Sequence, residues 1–169
     1  DSYHKVFPEL KGNESPALIF ARGVANIAIT GSGTINGQGA HQNFQHGKDS
    51  KGGPRRPKII YFIGCNNVRV QDVTLRNSAY WTQDYEKCNG VIVRGVKVYS
   101  HANWNNDGLD IDSRNVVVSD CYIDCDDDAL CLKSDTDTPC ENVTVTNCVL
   151  KSNCNAIKFG TSSYSGFKN

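Results

Sequence analysis

Five short β-branched segments recur along the chain, and their spacing leaves little choice of fold. They read Asn26-Ile-Ala-Ile-Thr-Gly, Asn67-Val-Arg-Val-Gln-Asp-Val-Thr-Leu, Gly90-Val-Ile-Val-Arg-Gly-Val-Lys-Val, Asn115-Val-Val-Val-Ser-Asp-Cys-Tyr-Ile and Asn142-Val-Thr-Val-Thr-Asn-Cys-Val-Leu. Anchored on Ile27, Val68, Val91, Val116 and Val143, they are separated by steps of 41, 23, 25 and 27 residues. The first step holds one unit plus a long polar loop, Gln38–Pro57. Each unit alternates apolar and polar residues, the pattern of a half-buried strand. No window carries the i, i+3, i+4, i+7 stripe of an amphipathic helix. Strands at this period, with no helix long enough to cross over between them, predict an all-β chain of stacked coils, a parallel β-helix of about five rungs. The length of 169 residues suits one such domain, residues 1–169.

Stacking makes equivalent positions into columns, because neighbouring strands lie about 4.7–4.9 Å apart. Cys65, Cys88 and Cys140 share one column; Cys121 and Cys148 share another with Val73 and Val96. A small apolar ladder suits these sites. Adjacent rungs also permit a disulfide such as Cys121–Cys148, since the required Cα separation is about 4.4–6.8 Å. A second alignment sets Asp107-Gly-Leu-Asp-Ile-Asp-Ser over Asp128-Ala-Leu-Cys-Leu-Lys-Ser and Asn155-Ala-Ile-Lys-Phe-Gly-Thr. Leu109, Leu130 and Ile157 then face inward, as do Ile111, Leu132 and Phe159, while Asp110, Cys131 and Lys158 face outward. Strict alternation would also bury Asp107 and Asp128 in the core, unless the coil turns a corner at Gly108 and Ala129.

The chemistry-bearing clusters are Asn105-Asn-Asp107-Gly-Leu-Asp110-Ile-Asp112 and Asp124-Cys-Asp126-Asp127-Asp128. They occupy equivalent places on successive rungs, so stacking brings their carboxylates together. Carboxylates in one field push one pKa up, leaving one group protonated beside an ionised one. Glycoside hydrolysis needs that pair. A solvated acidic edge, or turn-forming Asn and Asp, would leave the same pattern.

Asn105-Asn-Asp107-Gly-Leu-Asp110 resembles the Asn-Thr-Asp-Gly-x-Asp motif of glycoside hydrolase family 28, the polygalacturonases and rhamnogalacturonan hydrolases. Asp127-Asp128-Ala-Leu-Cys-Leu-Lys-Ser134 is similar to that family's second motif. Ile29-Thr-Gly-Ser-Gly-Thr-Ile-Asn-Gly-Gln-Gly39, Arg56-Pro57 and Asn77-Ser-Ala-Tyr-Trp81 also match its pattern. The resemblance implies a right-handed, single-stranded parallel β-helix that cuts a pectic backbone with inversion. It makes Asp128 the general acid, with Asp107 and Asp127 holding and deprotonating the attacking water. Asn105, Asp110, Asn155, Lys158 and Trp81 become substrate-binding candidates, Trp81 as a sugar-stacking platform in the column of Asp107 and Asp128. Two departures stand out. The family's Gly-His-Gly motif reads Cys154-Asn155-Ala156 here, and Asn donates a hydrogen bond without titrating. Its Arg-x-Lys motif falls beyond residue 169, so Lys158 is the cation left to grip a sugar carboxylate.

The remaining signals bound the partners. Eighteen acidic and 18 basic residues give a net charge of zero, without the basic surplus a nucleic-acid binder needs. No apolar run approaches the roughly 18 residues of a membrane span. Eight cysteines without a C-x-x-C pair make zinc a poor reading. Asp124-x-Asp126-x-Asp128 with Asp135 mimics a calcium loop, but Ala129 stands where that turn needs Gly and no helices flank it. No metal or cofactor is therefore expected. The chain begins without Met or a leader, which reads as a mature or truncated piece of a longer, secreted or periplasmic protein, monomeric when full length. Cut off as it stands, a solenoid is expected to self-associate through its open edges. Two other functions stay open: a non-catalytic uronate-binding fragment, and a calcium-dependent enzyme like the pectate lyases.

Overall fold

A computed structural model describes residues 15–45 and 56–169. The middle of the 38–57 loop and the histidines at 4 and 46 lie outside the described residues. Among the described residues fifteen strands run β1 (Ala17–Arg22), β2 (Ala25–Thr30), β3 (Thr34–Asn36), β4 (Lys58–Ile63), β5 (Asn66–Gln71), β6 (Thr74–Arg76), β7 (Gln83–Arg94), β8 (Lys97–Ser100), β9 (Leu109–Ser119), β10 (Tyr122–Cys125), β11 (Leu130–Ser134), β12 (Cys140–Thr146), β13 (Val149–Ser152), β14 (Ile157–Ser163) and β15 (Phe167–Lys168). One short 3₁₀ turn, Gln42–Phe44, is capped by His41, whose Nδ1 accepts from the Asn43 N–H at 3.2 Å.

Every strand pairing is parallel, and the strands divide into three faces. The first stacks β1, β4, the start of β7, the start of β9, β11 and β14. The second stacks β2, β5, the ends of β7 and β9, β12 and β15. The third runs β3, β6, β8, β10, β13. The result is a right-handed parallel β-helix. Ile27, Val68, Val91, Val116 and Val143 pair in register, so the anchors read from the sequence form one column of five strands, or four full turns.

The core is a set of such columns. Val68, Val91 and Val116 are at most 1% exposed, as are Val70, Val93 and Val118; Leu75, Val98 and Ile123 fill the third face. Ile157 and Phe159 keep the register of Leu130 and Leu132 but are 54% and 63% exposed. They were expected to be inside. They have a packed neighbour on one side only, so their column does not close over them. The eight cysteines are free, so the Cys121–Cys148 bridge that adjacency allowed is not made. Cys65 and Cys88 lie in register with Ser113 and Cys140, and the Cys121 and Cys148 thiols donate to the Ser119 and Thr146 carbonyls.

The coils turn at left-handed corners. Asn26, Asn67, Asn115 and Asn142 have φ of 62°, 53°, 56° and 55°, and Gly90 occupies the same corner at 73°. That conformation costs most L-residues about 1–2 kcal/mol, and Gly and Asn are its usual occupants. The amides also link rung to rung. Asn67 Nδ2 donates to Asn26 Oδ1 at 2.7 Å, Asn115 to Asn89 at 2.7 Å and Asn142 to Asn115 at 2.9 Å. This explains why the repeats open with Asn or Gly. Asn115→Gly should keep the backbone and lose only the two exposed amide links, whereas Asn115→Ala loses both. Urea unfolding is expected to rank Ala below Gly by about 1–2 kcal/mol; equal stabilities would show that the corner is not what fixes residue 115.

Candidate active site

The acidic motifs sit where the third face turns into the first, between β8 and β9 and between β10 and β11. Bends fall at Gly108, Ala129 and Ala156, each just before its strand, so the assumed corner exists and keeps Asp107 and Asp128 out of the core stripe. Backbone bonds stack the corners: Thr82 N–H donates to the Asp107 carbonyl at 2.7 Å, Gly108 N–H to Asp128 and Ala129 N–H to Asn155, both at 2.9 Å. Only glycine fits at 108. A Cβ there would run into the Ile123 side chain and come within 2.7 Å of the Ala129 carbonyl oxygen. Close contact between coils is thus built into the motif.

This stacking gathers the carboxylates. One oxygen each of Asp107 and Asp128 lies within 4.8 Å of the other and of the Cys131 sulfur; Asp127, Asp128 and the exposed Cys154 sulfur form a second such group. Asp107 and Asp128 are buried, Asp127 half-buried. Asn106, fully buried, braces the corner from beneath: its amide donates to the Ser100 carbonyl at 2.6 Å while Oδ1 accepts the Asp126 and Asp127 N–H groups at 3.2 and 3.0 Å. Asp127 Oδ1 accepts from the Asp128 N–H at 2.9 Å, and Asn105 Nδ2 lies 3.4 Å from its Oδ2. Both groups share Asp128, each of whose oxygens already accepts one hydrogen bond.

The charge states are opposed. Burial pushes the Asp107 carboxyl up to about 7, with Asp127 adding to the rise; its Oδ1 has no hydrogen-bond partner. Asp110 is driven well up by complete burial, then by Asp107. Burial acts on Asp128 in the same sense but is outweighed. Lys158 Nζ donates to its Oδ2 at 2.7 Å and Asn155 Nδ2 to its Oδ1 at 2.7 Å, and they hold the carboxyl below the usual range. The surroundings therefore favour the proton on Asp107 and the charged form of Asp128.

Three other candidates are engaged by neighbours within the fold. Asp110 faces away from the core, yet it is fully buried, with the Lys133 ammonium 3.3 Å away. Lys158 is not a free cation; it is bound to Asp128. Trp81 stacks on Tyr80 at 5.2 Å, and the Lys58 and Lys133 ammoniums lie 4.5 and 4.4 Å from its ring centre. Its ring is already engaged. Beside it opens a cavity of about 300 Å³ lined by Lys58, Tyr61, Tyr80, Asp84, Glu86, Asp112 and Lys133 among others. Lys58 is ion-paired to Asp84. Arg56 closes the wall between the Tyr80 and Trp104 rings and bonds the Ala79 and Trp104 carbonyls.

Sequence reasoning assigned no role to Asn106 or Lys133, although both stood inside the quoted motifs. Alternation gave no signal for either, because their cover comes from neighbouring coils. His101 is a loop residue, as its spacing suggested, but its ring is gripped by Asp126 at 2.7 Å and Asp124 at 3.0 Å.

With the corner described, its kinship is explicit. The profile of the glycosyl hydrolases family 28 matches residues 6–160, and the chain belongs to that family. It is 32% identical over 128 residues to a probable polygalacturonase of Arabidopsis thaliana and 32% identical over 126 residues to one of Vitis vinifera, covering 75% and 72% of this chain but 26% and 25% of those proteins. A hyperthermoactive exopolygalacturonase from Thermotoga maritima superposes with a TM-score of 0.80 at 26% identity, over 92% of this chain and 45% of that one. The chain thus spans about a quarter of the length of the curated relatives it matches.

The raised Asp107 gives a stability test. An unfolded aspartate titrates near 3.9, so between about pH 4 and pH 7 the folded chain holds a proton that the unfolded chain has lost. Its contribution is complete below that window and disappears as pH rises through it. Asp112, lifted to about 6 by burial, has the same sign. Thermal melts should show stability falling from pH 5 to pH 7.5, and Asp107→Asn should flatten the decline and melt higher than wild type at pH 7.5. A wild-type melting temperature that climbs over this range would contradict the assignment.

Proposed function

We propose that the protein hydrolyses glycosidic bonds in a pectic backbone, polygalacturonate or rhamnogalacturonan, with inversion at the anomeric carbon. The observation that carries the reading is the opposed charge of stacked carboxylates: Asp128 is ionised while Asp107, within 4.8 Å of it, keeps its proton to about pH 7. One acid and one base in a single cleft is the requirement of the reaction. The relatives, named polygalacturonases, supply the substrate class. A pectin-cutting role carries with it a location outside the cytoplasm.

Roles follow the electrostatics. Asp128 is the base: it takes a proton from water as the water oxygen bonds to the anomeric carbon. Two oxygens up to 4.8 Å apart can both contact one water at about 2.8 Å each, so Asp107 and Asp128 hold it between them. The proton for the leaving oxygen comes from the Asp107–Asp127 pair, delivered through Asp127, the most open of the three carboxylates. As the glycosidic C–O bond breaks, the leaving sugar carries that proton away; Asp128 then gives the proton it took from water to solvent, and solvent returns one to the pair. The spacing is that of a water clamp, shorter than the 6.5–9.5 Å or so usual between acid and base in inverting enzymes. Inversion therefore rests on the family resemblance, and the product anomer tests it.

The experiment is reducing-end release from polygalacturonate and rhamnogalacturonan by a protein carrying this chain, with proton NMR of the first-formed anomer. Asp127→Asn and Asp128→Asn should each cut turnover about 10²–10⁴-fold with KM little changed, and their penalties should not add, because they serve one transition state. Asp128→Asn turnover near wild type would remove the mechanism. Chelator-sensitive activity with ultraviolet-absorbing unsaturated ends would replace it with a calcium-dependent lyase.

A further inference from the structure

Lys158 lies on β14 in register with Cys131 and, one rung further, with Asp110. From there its side chain reaches back across the rung to the corner, where its ammonium meets Asp128 Oδ2 at 2.7 Å while Asn155, at the head of the same strand, takes Oδ1 at 2.7 Å. Asp128 is 1% exposed in its side chain and Lys158 32%. Both oxygens of the buried carboxylate are thus held from below by residues of one coil, leaving their remaining lone pairs toward Asp107 and Asp127.

We propose that Lys158 is a positioning residue: it acts on the reaction through Asp128, and not on the sugar, by clamping that carboxylate together with Asn155. The proposal rests on the hydrolytic reading and names which cation serves the base.

The ionisable groups facing Asp128 are few. Asp127 precedes it in the chain, Asp107 faces it from the rung above, Cys131 from β11, Cys154 from the turn before β14, and Lys158 from β14 itself. Lys158 is the cation among them. An ammonium does not titrate near neutrality, and this one is held still more firmly protonated by its bond to Asp128. The clamp therefore keeps the same charge from mildly acidic to alkaline pH, where a histidine in the same place would lose its own near neutrality. Without the cation, the Asn155 amide and the Cys154 thiol are left to oppose burial and the neighbouring carboxylates.

The test compares wild type with Lys158→Met and Lys158→Arg, with Lys158→Gln as a second neutral variant in case methionine disturbs folding. Carbon-13 NMR of labelled aspartate carboxyls, with the Asp128 signal assigned by its loss in Asp128→Asn, reports the clamp whether or not the protein hydrolyses pectin. The neutral variants should titrate Asp128 at least about one pH unit higher, a tenfold change in its ionisation constant, and arginine should restore the wild-type value. On polygalacturonate, the neutral variants should lower kcat by about tenfold or more and move the acid limb of its pH profile upward by the same shift, with KM nearly unchanged. An Asp128 titration identical in wild type and the neutral variants overturns the proposal. So does a raised KM at full kcat, which would make Lys158 a grip on the substrate. Shifted titration in a protein without hydrolase activity would uphold the clamp and remove the hydrolytic reading instead.

Discussion

The in-register stacking of parallel coils governs everything else in this protein. Strands about 4.8 Å apart put like residues over like. That is favourable for valine and leucine, useful for asparagine and costly for aspartate. The apolar columns supply the cohesion, and the asparagine corners turn a strained backbone into a ladder of amide bonds. The same geometry that packs Val68 on Val91 on Val116 forces Asp107 over Asp128. The site is a by-product of the fold rule, kept tolerable by local compensation.

That compensation is uneven, and the unevenness matters. Each carboxylate is buried, so each begins with a desolvation penalty. Asp128 receives an ammonium and an amide directly on its oxygens. Asp107 receives no bond on Oδ1. Asp110 has Lys133 at 3.3 Å, but neither of its oxygens is hydrogen-bonded. Two aspartates stacked in one column are thus driven apart in their affinity for the proton, because the next coil sets an ammonium in direct contact with Asp128 but not with Asp107. Protonation near neutrality is one way for a buried like-charge pair to avoid a repulsion that the net neutrality of the chain does nothing to relieve.

Much of this was legible in the sequence because register is a one-dimensional property. The five anchor residues pair as aligned, and the three Asp/Asn-led segments stack as aligned through Ile111, Leu132 and Phe159, after which the register shifts and Ser134 pairs with Ser163 in place of Thr161. The corner at Gly108 could be required but not seen; its cause is the close approach of Ile123 and Ala129, a contact between coils. Long side chains escaped for a related reason. Lys158 belongs to the column of Asp110 by its backbone, but its ammonium ends one column back, on Asp128. Alternation says which way a Cβ points and not where four methylenes later the charge arrives. Lys133 and Trp81 show the same effect, the Lys133 ammonium lying 4.4 Å from the centre of the Trp81 ring.

The charge assignment shows where the limit of pattern reading lies. Family resemblance named Asp128 as the proton donor, and the sequence offered no measure of depth with which to compare it with Asp107. Both Asp107 and Asp128 turn out to be buried, so burial cannot separate them. What separates them is a rung contributed about thirty residues later, at Asn155 and Lys158. In a solenoid each coil is solvated by the next, and the ionisation of a residue is decided by the coil below as much as by its own. A change in that lower coil, remote in sequence and outside the acidic motifs, can therefore exchange acid and base while leaving both motifs intact.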